Sequence, residues 1–310
     1  MAFTDIEALA QFLELDKKKA ASLLQNPEMP LLVPMRLAAK MAKNSVKDPL
    51  FREFVPQKME LKKKEGFSSD PLKESDFQKN RLLQKYRGRA LLLCADSCYM
   101  HCRFCFRRHF AFPKASGFEA ELTAIGENKT LSEIILSGGE PLLLSNEKLA
   151  GLFARLNAMP HIKRIRIHSR ALIAAPERAD AGLLAIFAKS PKQLFFVQHV
   201  NHPKELDSEV LPALKQIGKQ NMIVLTQTVL LKGVNDDPKV LIELFLALSN
   251  NGILPYYLHL LDKVSGIAHF DVPLSKARSL MTAIKAELPG YAVPRLVREI
   301  PHKTSKTTFC

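Results

Sequence analysis

The chain alternates short apolar runs with amphipathic stretches over most of its length, and this alternation constrains its fold more than any other feature. Six apolar runs have the length and composition of buried strands: residues 90–94, 133–137, 164–168, 194–198, 222–227 and 256–261. Amphipathic stretches lie between them, most clearly at residues 147–157, 180–189 and 237–250. Six strand–helix units indicate a parallel sheet with crossover helices. Because a closed TIM barrel has eight such units, we predict an α/β fold with an open, partial parallel (β/α)6 TIM-like barrel.

The first 85 residues lack this alternation, and we predict that they form an N-terminal helical accessory region. Asp5 can cap a helix over residues 6–13, and a second helix is expected over residues 35–43. Three prolines within residues 27–34 separate the two, because proline cannot sit inside a helix. The partial barrel is then predicted over residues 86–290, and a C-terminal segment over residues 291–310.

Three of the five cysteines follow the first predicted strand with C-x3-C-x2-C spacing, as Cys98, Cys102 and Cys105. Three thiolates on one short loop can bind three irons of a [4Fe–4S] cluster and leave the fourth iron open for a small ligand. Cys94 offers an alternative set with Cys98 and Cys102. It ends an apolar strand, however, where a cysteine usually acts as a small hydrophobic residue. We therefore predict Cys98, Cys102 and Cys105 as the cluster ligands.

Polar residues also follow the other predicted strands, at the ends where active sites of such folds form. The second strand ends in Ser137, Gly138, Gly139 and Glu140, whose glycines can expose backbone groups to a ligand. The Glu140 carboxylate can bind an ammonium group. The later strand ends carry a further set of polar residues: Ser169, Arg170, His199, Gln227 and Asp262. We expect these residues to share one site with the cysteines.

Composition and charge limit the partners and the cellular compartment that we expect for the protein. The net charge is +14, but the lysines and arginines are spread along the chain, so a nucleic-acid partner is not predicted. No apolar run approaches the roughly 20 residues needed to cross a bilayer, and the N-terminus lacks the pattern of a secretion signal. Clustered rather than paired cysteines indicate a metal site in a reducing compartment. We expect a cytoplasmic protein without a membrane segment.

The cysteine spacing, followed one strand later by Gly-Gly-Glu, resembles the radical S-adenosylmethionine superfamily. The resemblance implies that the open iron binds the amino and carboxylate groups of S-adenosylmethionine. It also implies that Gly138, Gly139 and Glu140 hold that amino group, with Ser137 as a further cofactor-binding residue. Near the adenosyl part we expect Ser169, Arg170, His199 and His202. One-electron reduction then yields a 5′-deoxyadenosyl radical, so the resemblance implies an external one-electron reductant.

Further segments are similar to lysine 2,3-aminomutases, from about residue 47 to the C-terminus. These segments are residues 89–93, 102–110, 165–170, 229–236, 255–262 and 268–270. The subgroup that makes (R)-β-lysine for elongation factor P is most similar, at residues 105–110, 160–164, 262–264 and 294–300. The resemblance implies an isomerase that moves the amino group of L-lysine from C2 to C3, functionally linked to a β-lysine ligase and elongation factor P.

Aminomutases of this family hold pyridoxal 5′-phosphate through a lysine Schiff base. The matching residue is Lys306, seven residues after Glu299, and Lys303 is a nearby alternative. Arg89 and Gln227 match residues that hold the pyridoxal phosphate in the family.

The resemblance also implies the substrate contacts. Arg107 matches the residue that pairs with the substrate carboxylate, and Asp262 and Glu299 match two carboxylates that receive the distal ammonium. The family more often has aspartate at the positions of Glu299 and Glu140, which leaves the length of the diamino acid open. The chain also lacks the C-terminal extension of catabolic lysine aminomutases, so a homo-oligomer is possible but its mode is open.

Three alternatives stay open from the sequence. One is a catabolic or biosynthetic lysine or glutamate 2,3-aminomutase. Another is a radical enzyme that modifies RNA, although the type that transfers two methyl groups needs further cysteines and only Cys94 and Cys310 are left. The third is an iron–sulfur electron carrier, which would have no use for Lys306, Gln227 or Asp262.

Overall fold

The computed structural model describes residues 1–114 and 117–309 of the chain. The strands in this part are β1 (Ala2–Phe3), β2 (Val33–Pro34), β3 (Gln78–Lys79), β4 (Leu82–Tyr86), β5 (Arg89–Ala95), β6 (Glu133–Gly138), β7 (Arg164–Ser169), β8 (Gln193–His199), β9 (Met222–Val229), β10 (Leu254–His259), β11 (Arg295–Arg298) and β12 (Thr307–Thr308). The α-helices are α1 (Ile6–Phe12), α2 (Lys17–Ala20), α3 (Met35–Ala38), α4 (Pro49–Phe54), α5 (Glu119–Glu127), α6 (Asn146–Asn157), α7 (Ala171–Ala174), α8 (Ala181–Ala188), α9 (Val210–Gly218), α10 (Pro238–Ser249) and α11 (Leu274–Glu287).

Ten of these strands form one mostly parallel sheet. Its order runs from β12 at one edge, through β11, β10, β9, β8, β7, β6, β5 and β4, to β3 at the other. Strands β5 to β11 are parallel and adjacent in chain order. Parallel neighbours cannot be joined by a tight turn, and here each connection carries at least one helix.

All six predicted strands are confirmed, as β5 to β10. The three clearest amphipathic stretches are confirmed as α6, α8 and α10. Their N-terminal caps are side chains that accept a backbone N–H within the first turn: Ser145, Asp180 and Asp237. The alternating α/β arrangement was therefore readable from the chain.

The sheet is larger than the six-strand prediction. A seventh parallel strand, β11, lies in the predicted C-terminal segment, and its four residues are too few to show a pattern. Three antiparallel strands, β3, β4 and β12, extend the two edges. The division of the chain into three regions at residues 85 and 290 stays a prediction.

The N-terminal region is less helical than predicted. Helix α1 begins after Asp5 as expected, with the Asp5 carboxylate accepting from the Ala8 N–H. The second predicted helix ends at Ala38 instead of residue 43, because Lys40 and Met41 turn back to Leu37 and Ala38. The predicted helical character was wrong for β3 and β4, which pair with the main sheet.

The two faces of the sheet differ in chemistry. On one face, alternate residues such as Ile165 and Ile167 are buried in a hydrophobic core that includes residues of the helices. The residues between them point to the other face and are only half-buried, as Arg166 and His168 show. That second face carries the polar side chains of the candidate site.

Candidate active site

The three predicted cluster ligands lie on the loop that follows β5. The Cys105 N–H donates to the Cys102 carbonyl at 3.0 Å, which turns the loop on itself. The three residues are half-buried, whereas Cys94 is buried in the main core. Burial and the neighbouring cysteines raise the pKa of Cys98, so iron must displace thiol protons when it binds.

The donor set suits a cluster better than a single metal ion. In the described part of the chain, no three His, Cys, Asp or Glu side chains converge on one ion-sized position. A cluster does not require such convergence, because each of its irons takes its own thiolate. Three cysteines on one loop, with no fourth cysteine beside them among the described residues, fit a cluster with one open iron.

A buried ion pair from the N-terminal region anchors the cysteine loop. Arg103 is fully buried, and its Nε and Nη2 donate to the Glu60 carboxylate at 2.8 and 2.5 Å. Its Nη1 donates to the Met29 carbonyl at 2.7 Å, and its backbone N–H donates to the Glu53 carbonyl at 2.7 Å. Residues before β3 thus hold this loop, which the sequence did not reveal.

Gly138 and Gly139 let the end of β6 pack directly against the start of the cysteine loop. A Cβ at Gly139 would lie 2.2 Å from the Ser97 carbonyl oxygen, and one at Gly138 would lie 3.0 Å from the Ala95 carbonyl oxygen. The Gly139 N–H donates to Ala95 and the Glu140 N–H to Ser97. The space left by these glycines is therefore filled by the chain's own backbone, and the pair positions the loop.

The Glu140 carboxylate ties the ends of β6 and β7 together. It is buried, and it accepts hydrogen bonds from the Leu142 N–H, the Ser169 hydroxyl and the Arg170 N–H, at 2.8 to 3.0 Å. Burial raises its pKa to about 7, although these donors oppose the shift. Ser137 is buried one residue before the glycines, opposite Leu93 of β5. The expected ammonium contact of this element stays a prediction.

A chain of alternating charges joins the predicted substrate residues. Lys306 pairs with Glu299, whose second oxygen accepts from Lys85 at 2.7 Å. Lys85 also lies 3.3 Å from Glu74, and Glu74 receives Nε and Nη2 of Arg107 at 2.8 and 2.9 Å. Lys85 and Glu74 were not predicted, because each is a single charged residue in a segment rich in charges. The structure thus brings Arg107, Glu299 and Lys306 into one network.

Within this network, Arg107 still has N–H donors that could bind another anion. Its Nη1 donates to the Gly138 carbonyl at 3.1 Å, which links the substrate network to the cysteine loop. A guanidinium carries five N–H donors, and three of them are used. One N–H on each terminal nitrogen is therefore available for a carboxylate.

The pKa values of the two predicted ammonium-binding carboxylates are shifted in opposite directions. Burial raises the pKa of Glu299, but the charges of Lys306 and Lys85 outweigh burial and hold it at about 2. Burial raises the pKa of Asp262 to about 7, since Lys306 only partly offsets it. Asp262 Oδ1 is buried without a hydrogen-bond partner. Such an oxygen gains most from a cationic donor.

The two residues predicted to hold pyridoxal phosphate stand on the same sheet. Arg89 begins β5, and its guanidinium lies 4.4 Å from the centre of the Tyr86 ring. Burial and Glu299 raise the pKa of Tyr86 to about 12, while Arg89 lowers it, so Tyr86 lies within electrostatic range of both Arg89 and Glu299. Gln227 is opposite His199 of β8 and Tyr257 of β10.

Two histidines on the polar face were not predicted. His168 and His259 each have a buried Nε2 without a partner, and both lie within electrostatic range of Lys306. Burial, then neighbouring positive charge, lowers the pKa of both, to about 3 for His259. They are therefore neutral and add polarity to this face without adding charge.

Comparison with known proteins identifies the family of the chain. Residues 92–245, which span β5 to α10, match the model of the radical SAM superfamily. The chain is 39% identical to L-lysine 2,3-aminomutase of Escherichia coli (strain K12), over 98% of this chain and 91% of that protein. It is 38% identical to the enzyme of the same name from Haemophilus influenzae, over 90% of this chain and 84% of that protein. The Clostridium subterminale enzyme is 33% identical, with 65% of its length covered.

Among solved structures, a radical SAM methyltransferase from Sphaerobacter thermophilus is similar in fold. The TM-score is 0.51 at 18% sequence identity, with 70% of this chain and 68% of that chain covered. This likeness supports a partial TIM-barrel-like α/β fold. No helix among the described residues is both long enough and apolar enough to cross a membrane.

Proposed function

The chain belongs to the lysine 2,3-aminomutase family of the radical SAM superfamily, and from this we propose that it converts L-lysine to β-lysine. This reaction is an isomerisation in which the amino group moves from C2 to C3 while one hydrogen moves in the opposite direction. One structural observation carries the proposal for the site. The site holds a guanidinium with two unused N–H donors and two half-buried carboxylates, the charges that a substrate with one carboxylate and a distal ammonium requires.

Arg107 and Asp262 are proposed to receive the two ends of lysine. The two free N–H groups of Arg107 suit the substrate carboxylate. The unpartnered Asp262 oxygen suits the distal ammonium, with Glu299 beside it. Glu74 and Lys85 hold Arg107 and Glu299 in place from within the network. Holding both ends of the substrate fixes the reacting carbons in one orientation.

The residues present also fit the three proposed cofactors. Cys98, Cys102 and Cys105 would hold the [4Fe–4S] cluster, and Ser137, Gly138, Gly139, Glu140 and Ser169 would line the S-adenosylmethionine site. Lys306 would bind pyridoxal 5′-phosphate covalently, with Arg89 and Gln227 toward its phosphate. When bound, these groups supply a 5′-deoxyadenosyl radical and a conjugated ring that stabilises radical character on the substrate.

The chain's own residues then bind and orient the reacting groups and limit their contact with water. The Lys306 amine pairs with the low-pKa Glu299 and lies within electrostatic range of the neutral His168 and His259. The buried Glu140 fixes the ends of β6 and β7 relative to the cysteine loop. A pre-formed site of half-buried side chains limits the access of water to a reactive radical.

We further propose that the product is (R)-β-lysine, used by a ligase that modifies elongation factor P in the cytoplasm. The segments at residues 105–110, 160–164, 262–264 and 294–300 support this. The Clostridium relative has length beyond the part matched here. An external one-electron reductant is part of the proposal, and a homo-oligomer is compatible with it.

The test is product formation and its chirality. Protein reconstituted anaerobically with iron, sulfide and pyridoxal phosphate is supplied with S-adenosylmethionine, dithionite and L-lysine. Chiral chromatography is expected to show (R)-β-lysine. (S)-β-lysine would support the catabolic or biosynthetic alternative. No β-lysine from a sample fully loaded with iron and pyridoxal would contradict the proposal. A Glu287→Gln variant, changed at an exposed carboxylate at the end of α11, is the matched control.

A further inference from the structure

Arg170 stands directly after β7, and its guanidinium is aimed at a predicted cluster ligand. Its Nη1 lies 2.8 Å from Cys102 Sγ, and the side chain is buried. The guanidinium also lies 4.8 Å from the centre of the Phe54 ring and 5.3 Å from that of Phe104. These rings limit water access, so solvent weakens the hydrogen bond from Arg170 to the sulfur only slightly.

Two buried glutamates hold the other side of this guanidinium. Nη2 donates to Glu53 at 2.7 Å and to Glu205 at 2.6 Å, and both carboxylates are fully buried. Asn201 donates its side-chain amide to Glu53 and its backbone N–H to Glu205, at 2.9 and 2.6 Å. The His202 N–H donates to the same Glu205 oxygen at 2.9 Å. Residues from α4 and from the end of β8 thus fix one orientation of Arg170.

A purely structural ion pair would not need to face a thiol. A hydrogen bond to a cluster sulfur, and a positive charge beside it, both stabilise the reduced cluster, which carries one more negative charge. We propose that Arg170, positioned by Glu53 and Glu205, is the residue that raises the reduction potential of the cluster through its hydrogen bond to Cys102. The step affected is the gain of one electron from the external reductant, and no proton moves in it.

This inference rests on the cluster part of the proposed function. It concerns the cluster alone, so it can be tested without S-adenosylmethionine, pyridoxal phosphate or lysine. The full-length protein is reconstituted anaerobically with iron and sulfide. Its midpoint potential is then measured by redox titration, with the electron paramagnetic resonance signal of the reduced cluster as readout and iron content measured in parallel.

Arg170→Gln removes the charge and is expected to lower the potential by at least the equivalent of a tenfold change in the reduction equilibrium, about 59 mV for one electron. The matched control is Arg178→Gln. Arg178 comes from the same β7–β8 connection but bonds Leu142, Leu144 and Asp180 instead of a thiol. The control is expected to keep the wild-type potential.

Arg170→Lys covers the case in which the glutamine variant does not assemble a cluster. An ammonium group lacks the planar fork that reaches the sulfur and both glutamates, so a smaller decrease in potential is expected. An unchanged or raised potential in an iron-loaded Arg170 variant would overturn the inference, as would equal shifts in the Arg178 control. A wild-type protein without a reducible cluster would instead overturn the proposed function.

Discussion

At the scale of single residues, exposure and ion pairing distinguish the two lysines that could bind pyridoxal phosphate. Lys303 is exposed, whereas Lys306 is half-buried and paired with Glu299. The pair fixes the Lys306 amine within the charge chain that contains Arg107, and a Schiff-base lysine needs such a fixed position. Spacing alone left both lysines open. The contact with Glu299 favours Lys306.

Lys306→Ala is expected to abolish covalent binding of pyridoxal phosphate, because Lys303 is exposed and Lys85, the other amine beside Glu299, is also paired with Glu74. Borohydride reduction followed by peptide mass spectrometry measures the adduct. Lys303→Ala is the matched control and should keep the adduct at Lys306. An adduct that moves to Lys303 in the Lys306 variant would reverse the assignment.

Asp262→Asn is expected to raise the KM for L-lysine about 10- to 100-fold, since a hydrogen bond to a charged group contributes about 1.5–3 kcal/mol. Steady-state kinetics with the reconstituted enzyme measures this. Glu287→Gln, at an exposed carboxylate at the end of α11, should leave KM unchanged. An unchanged KM in the Asp262 variant would show that the ammonium binds elsewhere.

The same carboxyl group makes stability depend on pH. Burial raises the pKa of Asp262 from its ordinary 3.8 to about 7, so the folded protein binds this proton more tightly than the unfolded chain does. Its contribution to stability is thus lost as pH rises from about 4 to 7. Asp262→Asn should therefore be more stable than wild type at pH 8, by at most about 4 kcal/mol, with a smaller difference at pH 5. Urea unfolding of the cofactor-free protein at both pH values measures it.

At the scale of elements, the glycine pair after β6 decides how closely the sheet meets the cysteine loop. Gly139→Ala is expected to reduce the bound iron per protein severely, because its Cβ would overlap the Ser97 backbone at 2.2 Å. Gly151→Ala in α6 is the matched control, since no other atom lies within 4 Å of the position that its Cβ would take. The control should be neutral or more stable by about 0.5–1 kcal/mol. Normal iron loading in the Gly139 variant would contradict the packing role.

The cysteine loop and the N-terminal elements also meet through Arg103 and Glu60. Removing one partner of a buried pair costs about 3–5 kcal/mol, because the other charge stays buried and unpaired. Arg103→Met should lose about that much unfolding free energy in urea under reducing conditions. Arg155→Gln, which breaks an exposed pair with Glu119, should lose less than about 1 kcal/mol. Equal losses would mean that Arg103 does not hold the loop.

At the scale of the whole molecule, the N-terminal region is part of the site's construction. It supplies Glu53 behind Arg170 and Glu60 behind Arg103, both of them buried. It also extends the main sheet through β3 and β4. The prediction of an accessory region did not anticipate these contacts, because the residues that meet are 43 to 117 positions apart.

A chain lacking residues 1–61 is therefore expected not to retain iron after anaerobic reconstitution. Loss of Glu53 and Glu60 leaves Arg103 and Arg108 without their buried anion and leaves Arg170 with Glu205 alone. Iron and sulfide analysis measures the result. The full-length Glu53→Ala, Glu60→Ala double variant should lose iron in the same way as the truncated chain. A truncated protein with a full cluster would show that the barrel holds the loop alone.

The sequence by itself determined the alternating strands and helices, the cysteine spacing and the family. Each depends on short-range periodicity or on residues within a few positions of each other, and such local patterns can be read directly from the sequence. Only the tertiary structure decided that Glu74 and Lys85 join Arg107 to Glu299, that Glu53 and Glu205 aim Arg170 at Cys102, and that Ser97 fills the space beside Gly139. These contacts join segments far apart in the chain. A lone charged residue or glycine in sequence gives no sign of the partner that folding brings to it.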